Sequence, residues 1–199
     1  MELIPLAKKQ TQDGEEQEEL SSGDSLKLDL YFWLQALVLA LVALILLFTF
    51  VGRIIGVVGS SMVPTLHNGD MLILQSIGYE PRQGDVVVLT KEFGSVEGPI
   101  VKRVIATEGQ TVHIDYATNS VYVDGERLDE PYINEPMRSP GVNTITDITV
   151  PEGCIFVLGD NRNNSSDSRL PELGAVDERY VLGRVLFVIF PFQNFGVIR

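Results

Sequence analysis

The chain has 199 residues, a formal net charge of -12 at neutral pH and 45% hydrophobic residues. That length suits one ordinary domain plus extras, and the acidity excludes nucleic-acid binding, because no basic face is available to neutralise phosphates. A single cysteine, Cys154, excludes an intramolecular disulfide and a multi-cysteine metal site, and two scattered histidines, His67 and His113, are too few for a histidine-based centre, so neither cofactor nor metal is expected.

Residues 1–29 are polar and acidic, with the cluster Glu15-Glu16-Gln17-Glu18-Glu19. Such a composition buries too little apolar surface to offset the entropy of ordering, so a disordered tail is expected. Tyr31 to Val51 is then almost uninterrupted apolar sequence, with Gln35 and Thr49 its only plainly polar positions. As a helix it would span about 31 Å, matching a hydrocarbon core of ~30 Å. Tyr31, Phe32 and Trp33 stand at its start, where an aromatic belt would lie. It is longer than the apolar part of a secretory leader and begins later, so residues 30–52 are expected to be an anchor. Lys27 and Arg53 flank the two ends, which leaves the orientation open.

Past the anchor stands Gly59-Ser60-Ser61-Met62-Val63-Pro64-Thr65-Leu66. A glycine lets a following serine present its hydroxyl with little crowding, and Pro64 stiffens the segment. This is where a nucleophile would be placed, and equally an ordinary turn after a membrane span, until a base is found for it. From here on short β-branched runs alternate with turn signals: Met71–Leu74, Asp85–Leu89, Ile100–Ile105, Cys154–Leu158 and Tyr180–Phe190. Thr111–Tyr116 and Ser120–Val123 read as a hairpin, with His113 out of phase with Val112 and Ile114 and therefore facing solvent. Cys154 reads as a small buried hydrophobe in its apolar run. Residues 53–199 thus form a mostly β domain.

A nucleophilic serine needs a base, which need not be histidine. Lys102 lies in a strand whose other members are apolar apart from Arg103. Desolvation there would lower its pKa and leave a neutral amine able to accept a proton; alternatively both cations are strand-end charges in water. The third stretch, Gly159 to Arg169, is a run of eleven polar or glycine residues directly after an apolar strand. A calcium loop fails, because Arg162 stands at the third position from Asp160 and no glutamate closes the twelfth. A structural polar loop, or a shell that holds a catalytic lysine, remains.

Together these stretches resemble the bacterial type I signal peptidases, membrane-anchored serine proteases with a Ser–Lys dyad. Ser61-Met62-Val63-Pro64-Thr65-Leu66 is similar to the family's nucleophile box, Gly84-Asp85 to its Gly-Asp strand, Lys102-Arg103 to its Lys-Arg box, and Gly159–Arg169 to its Gly-Asp-Asn-Arg box. The resemblance covers roughly residues 30 to 199. It implies a signal-peptidase-type β-fold, with Ser61 as nucleophile, Lys102 as general base and Ser165 orienting the lysine amine. Asp167 and Arg169 would pair to shape the polar loop, Asp160 would partner Arg103, and the Ser61 N–H would stabilise the acyl oxyanion beside Gly59. Gly59 stands where some members carry an extra serine hydroxyl, and Asn163 stands where many carry aspartate.

The resemblance further implies a plasma-membrane protein with its tail inside and its catalytic domain outside, working on a lipid bilayer near the export machinery. Its substrates would be secretory preproteins, cut after small residues in an Ala-x-Ala-like context, without a cofactor. Met62 and Leu66 are pocket candidates by proximity. The rivals are a self-cleaving Ser–Lys repressor, which would carry a DNA-binding module, and a non-catalytic membrane-tethered relative acting in assembly of surface proteins, which would lack one dyad residue. A microsomal-type enzyme would carry histidine where Lys102 stands; an organellar peptidase of the same dyad type remains open.

Overall fold

The structure is a computed structural model that describes residues 22–50, 53–94, 98–138, 141 and 143–198. The cluster Glu15–Glu19 and Val51 lie outside these residues. The chain divides into two compact units that part at Leu44.

The N-terminal helix, α1, runs from Ser22 to Phe50. It begins inside the stretch expected as tail, because Leu26, Leu28 and Leu30 carry the apolar pattern towards the N-terminus. Leu26–Leu46 is long and apolar enough to cross a membrane. Its side chains are exposed all round, a distribution that suits lipid rather than one packed face.

The β body holds twelve strands among the described residues. In chain order they are β1 (Arg53–Gly56), β2 (Met71–Gln75), β3 (Val86–Leu89), β4 (Ile100–Ala106), β5 (Thr111–Asp115), β6 (Ser120–Val123), β7 (Glu126–Arg127), β8 (Asp147–Thr149), β9 (Cys154–Leu158), β10 (Val176–Asp177), β11 (Val181–Phe190) and β12 (Gly196–Val197). One eight-stranded sheet runs β1-β2-β11-β3-β4-β9-β10 with β12 beside β11, and a smaller sheet runs β7-β6-β5-β8. Every recorded pairing is antiparallel.

Side-chain alternation builds the core. Val86 and Val88 of β3 enter one apolar cluster with Met62, Leu66, Leu72, Leu74 and Val185. Val87 and Leu89 enter another with Val104, Ile155 and Val157 on the opposite face. A strand buried on both faces reads as a continuous apolar run, which is why β3 shows no alternation in sequence. The small sheet packs Val112, Ile114, Val121 and Val123 against Ile105, Phe156 and Leu158. His113 faces outwards, as its phase predicts, and its Nδ1 lies 2.6 Å from Asp147 Oδ1. Cys154 is half-buried rather than buried, at the rim of this cluster. Strands β1 and β8 escape the sequence reading, since each is short and largely exposed and carries little periodic signal.

The order β3-β4-β9 positions the site. Arg103 of β4 stands opposite Leu158 of β9. The chain therefore leaves β9 at Gly159 beside Lys102 and Arg103, and the polar loop begins next to the lysine.

Candidate active site

The nucleophile segment bridges β1 and β2 and is pinned at its ends. Val57 N–H donates to Asp70 C=O at 2.8 Å, and Gly69 N–H donates to Val57 C=O at 2.9 Å. Gly59 adopts φ of +96°, a region that L side chains rarely enter, and its N–H donates to Asn68 Oδ1 at 3.0 Å. A serine there would meet open space but a strained backbone. The turn over Ser61–Thr65 brings the Leu66 N–H to the Met62 C=O at 2.9 Å and sends both side chains inwards. Met62 and Leu66 are 2% and 0% exposed and join the apolar cluster directly under the nucleophile. Ser61 stays half-buried at the surface of this turn.

Lys102 lies in the middle of β4 and is 3% exposed, which rejects the strand-end reading. Its Nζ is 2.8 Å from Ser61 Oγ and 2.9 Å from the Val101 carbonyl oxygen. Burial pushes the ammonium down from 10.5 to about 8, against the upward pull of Asp167 and Asp160 and with help from the Arg169 cation. Desolvation wins because a buried ammonium loses its water shell while the carboxylates are already paired with arginines.

Those pairs shape the polar loop. Asp167 accepts from Arg169 Nε at 2.8 Å and from the Gly159 N–H at 3.0 Å, and it is fully buried. Arg103 grips Asp160 with two parallel bonds, Nε to Oδ1 at 2.9 Å and one terminal nitrogen to Oδ2 at 2.8 Å. Thr65 Oγ1 also donates to Asp160 Oδ2, which ties the nucleophile box to the loop. Gly159 is required by close approach, since a Cβ there would sit 2.6 Å from the Ser61 carbonyl oxygen and overlap Ser165 Oγ. Asn163 accepts from the Arg138 N–H and donates to the Pro136 carbonyl, so it fastens the loop after Glu135.

Ser165 is the exception. Its Oγ is buried without a hydrogen-bond partner among the described residues, so the bond to the lysine amine implied for it is not made here. The hydroxyl lies close to Gly159, in the space that a side chain at that position would need.

Several contacts of the site escape the sequence reading. Glu130 receives Arg162 through both carboxylate oxygens, at 2.5 and 3.2 Å. Tyr132 places its ring 3.9 Å from the Arg103 guanidinium, a cation–π contact. Asn161 and Asn164 reach back to the serines across about a hundred residues of sequence. Nothing local marks these partners, because each is brought to the site from a distant part of the chain.

The Arg103–Asp160 pair predicts a large stability effect. Asp160→Asn removes the carboxylate that grips the Arg103 guanidinium, itself 1% exposed, through two bonds. Breaking a buried pair from one side typically costs about 3–5 kcal/mol. Denaturant unfolding of the full chain in detergent should show a loss of that order; a change below about 1 kcal/mol would contradict the structural role given to the pair.

A family model described as signal peptidase, peptidase S26, matches residues 30–190, most of the chain and all of the geometry above. The chain belongs to that signal peptidase family. Its curated relatives include the probable signal peptidase I-1 of Synechocystis, 39% identical over 169 residues, 80% of this chain and 82% of that protein. The signal peptidase I of Bacillus licheniformis is 37% identical over 177 residues, 84% and 92% of the two chains. Among solved structures, a signal peptidase I from Enterococcus faecalis matches with a TM-score of 0.42 at 30% identity, covering 53% of this chain and 97% of that one. This membership makes the chain a hydrolase of the signal peptidase class, and the mostly β body with one apolar helix agrees with it.

Proposed function

We propose that this chain removes signal peptides from exported preproteins, with Ser61 as nucleophile and Lys102 as its base. The observation that carries the reading is the 2.8 Å contact between the Lys102 amine and the Ser61 hydroxyl, made by a lysine whose pKa is pushed down to about 8. The neutral amine takes the Oγ proton as Oγ attacks the scissile carbonyl. The Ser61 N–H, which donates to no described residue, faces the developing oxyanion. The ammonium then returns its proton to the leaving amine, and an acyl-enzyme remains. In the second half Lys102 activates a water that frees the leader and regenerates Ser61. The Val101 carbonyl holds the amine in line throughout.

Location supports the substrate class. An enzyme anchored by α1 meets substrates that are tethered by their own apolar leaders. The β body also exposes Ile54, Met71, Phe187, Phe190, Phe192, Phe195 and Val197. Met71 pairs with Phe190, Phe187 pairs with Val197, and Phe190 stacks edge-on to Phe192, so these residues form connected apolar surface that suits a lipid interface. The tail lies inside and the catalytic body outside on this reading.

Purified chain in detergent should cut a synthetic leader peptide after its Ala-x-Ala site. On sealed right-side-out vesicles, protease added outside should digest the body and spare the tail. A leader peptide left whole by well-folded protein would refute the activity, and a protected body would refute the topology.

A further inference from the structure

We infer that Asn161 is a positioning residue that aims the Ser61 N–H at the substrate carbonyl. This rests on the reading above, in which that N–H receives the oxyanion. Asn161 grips the nucleophile at two successive carbonyls. Its Nδ2 donates to the Ser60 carbonyl at 3.1 Å, and its backbone N–H donates to the Ser61 carbonyl at 2.9 Å. The Ser60 carbonyl and the Ser61 N–H belong to one peptide unit. That unit is trans, since the cis bonds recorded are Val63-Pro64 and Phe190-Pro191.

A trans peptide is planar and its C=O and N–H point in opposite directions. Whatever fixes the Ser60 carbonyl therefore fixes the N–H. Asn161 pulls the carbonyl towards the polar loop, with a second bond from the Val63 N–H at 3.2 Å, and so turns the Ser61 N–H away from the loop. Asn161 is itself 8% exposed and the loop is locked by the Asp167–Arg169 pair, so the anchor is rigid. The bond to the Ser61 carbonyl holds the other side of the serine and stops the turn from rotating as a whole. An oxyanion donor works only when it is aimed before charge develops, and this contact pre-aims it.

The test uses full-length Asn161→Ala beside the parent and Ser61→Ala, with a leader peptide as substrate and a peptidyl boronate as tetrahedral mimic. Loss of aim should lower kcat by roughly 10- to 100-fold, less than the ~10²–10³ of removing a donor outright. KM should hold, because ground-state binding does not use the oxyanion contact. The rising limb of the pH profile should keep its midpoint, because the Lys102 contacts are untouched. Boronate affinity should fall with kcat, while affinity for an uncleavable leader peptide stays. A general loosening of the site would instead raise KM or displace the limb, and either result overturns the inference. Parent-like kcat also overturns it while leaving the dyad intact, provided Ser61→Ala is dead; activity in Ser61→Ala would strike the underlying reading instead. Should Asn161→Ala fail to fold, the isosteric Asn161→Asp keeps the backbone bond and turns the donor to Ser60 into an acceptor. It must then show the same kcat and boronate losses.

Discussion

Lys102→Arg is expected to be as inactive as Lys102→Ala, although arginine preserves the charge. Arginine stays protonated at any working pH and cannot accept a proton from Ser61. Loss of the general base should cost about 10²–10⁴-fold in kcat. The parent's profile should show why. An exposed lysine near pH ~10.4 leaves almost no neutral amine at neutral pH, whereas a value of about 8 leaves about a tenth of it neutral at pH 7. Activity should rise through a limb centred near pH 8 and fall away in acid. A leader-peptide assay from pH 6 to pH 10 checks both points, and substantial cleavage by Lys102→Arg would sink the dyad.

The same burial makes Lys102 a stability liability. The native state binds the lysine proton less tightly than the unfolded chain does, so protonation disfavours folding. The cost, about 3 kcal/mol, is full below pH 8, fades from about 8 to about 10.5, and is absent above. Lys102→Met should therefore be more stable than the parent at neutral pH, by unfolding in detergent, while it cleaves nothing.

Ser61→Ala should abolish cleavage, by about 10⁴-fold or more, with the fold intact, because the Ser61 hydroxyl is the one hydrogen-bonded to the base. Ser60→Ala should keep most of its activity. The Ser60 hydroxyl accepts only from Asn164 Nδ2 at 2.8 Å in an exposed setting, and its catalytic neighbourly role runs through its backbone carbonyl. The two adjacent serines differ by one position in a turn, and that turn decides which meets the lysine. An active Ser61→Ala beside a dead Ser60→Ala would reverse the assignment.

The sequence by itself determined the elements and the chemistry they carry. A long apolar run specifies a helix for lipid, and β-branched runs between turn residues specify strands, because both signals are local and periodic. The residues of the dyad and the polar loop stood out because each breaks its surroundings: Lys102 interrupts apolar β4, and Gly159–Arg169 follows apolar β9. The Asp167–Arg169 and Asp160–Arg103 pairs came only from the family resemblance of these stretches, and the structure joins both.

Tertiary structure alone decided how those pieces meet. The desolvation of Lys102 depends on which strands flank β4, a pairing that one strand's sequence does not encode. Glu130 and Tyr132 serve the site only because the fold returns them to Arg162 and Arg103, and Met62 and Leu66 turn inwards because a core waits beneath the nucleophile turn. Ser165 shows the limit from the other side. The resemblance implied the lysine amine as its partner, yet its hydroxyl lies buried beside Gly159 with no hydrogen-bond partner among the described residues. Composition and spacing act over a few residues, whereas hydrogen-bond partners a hundred positions apart are chosen by register and packing.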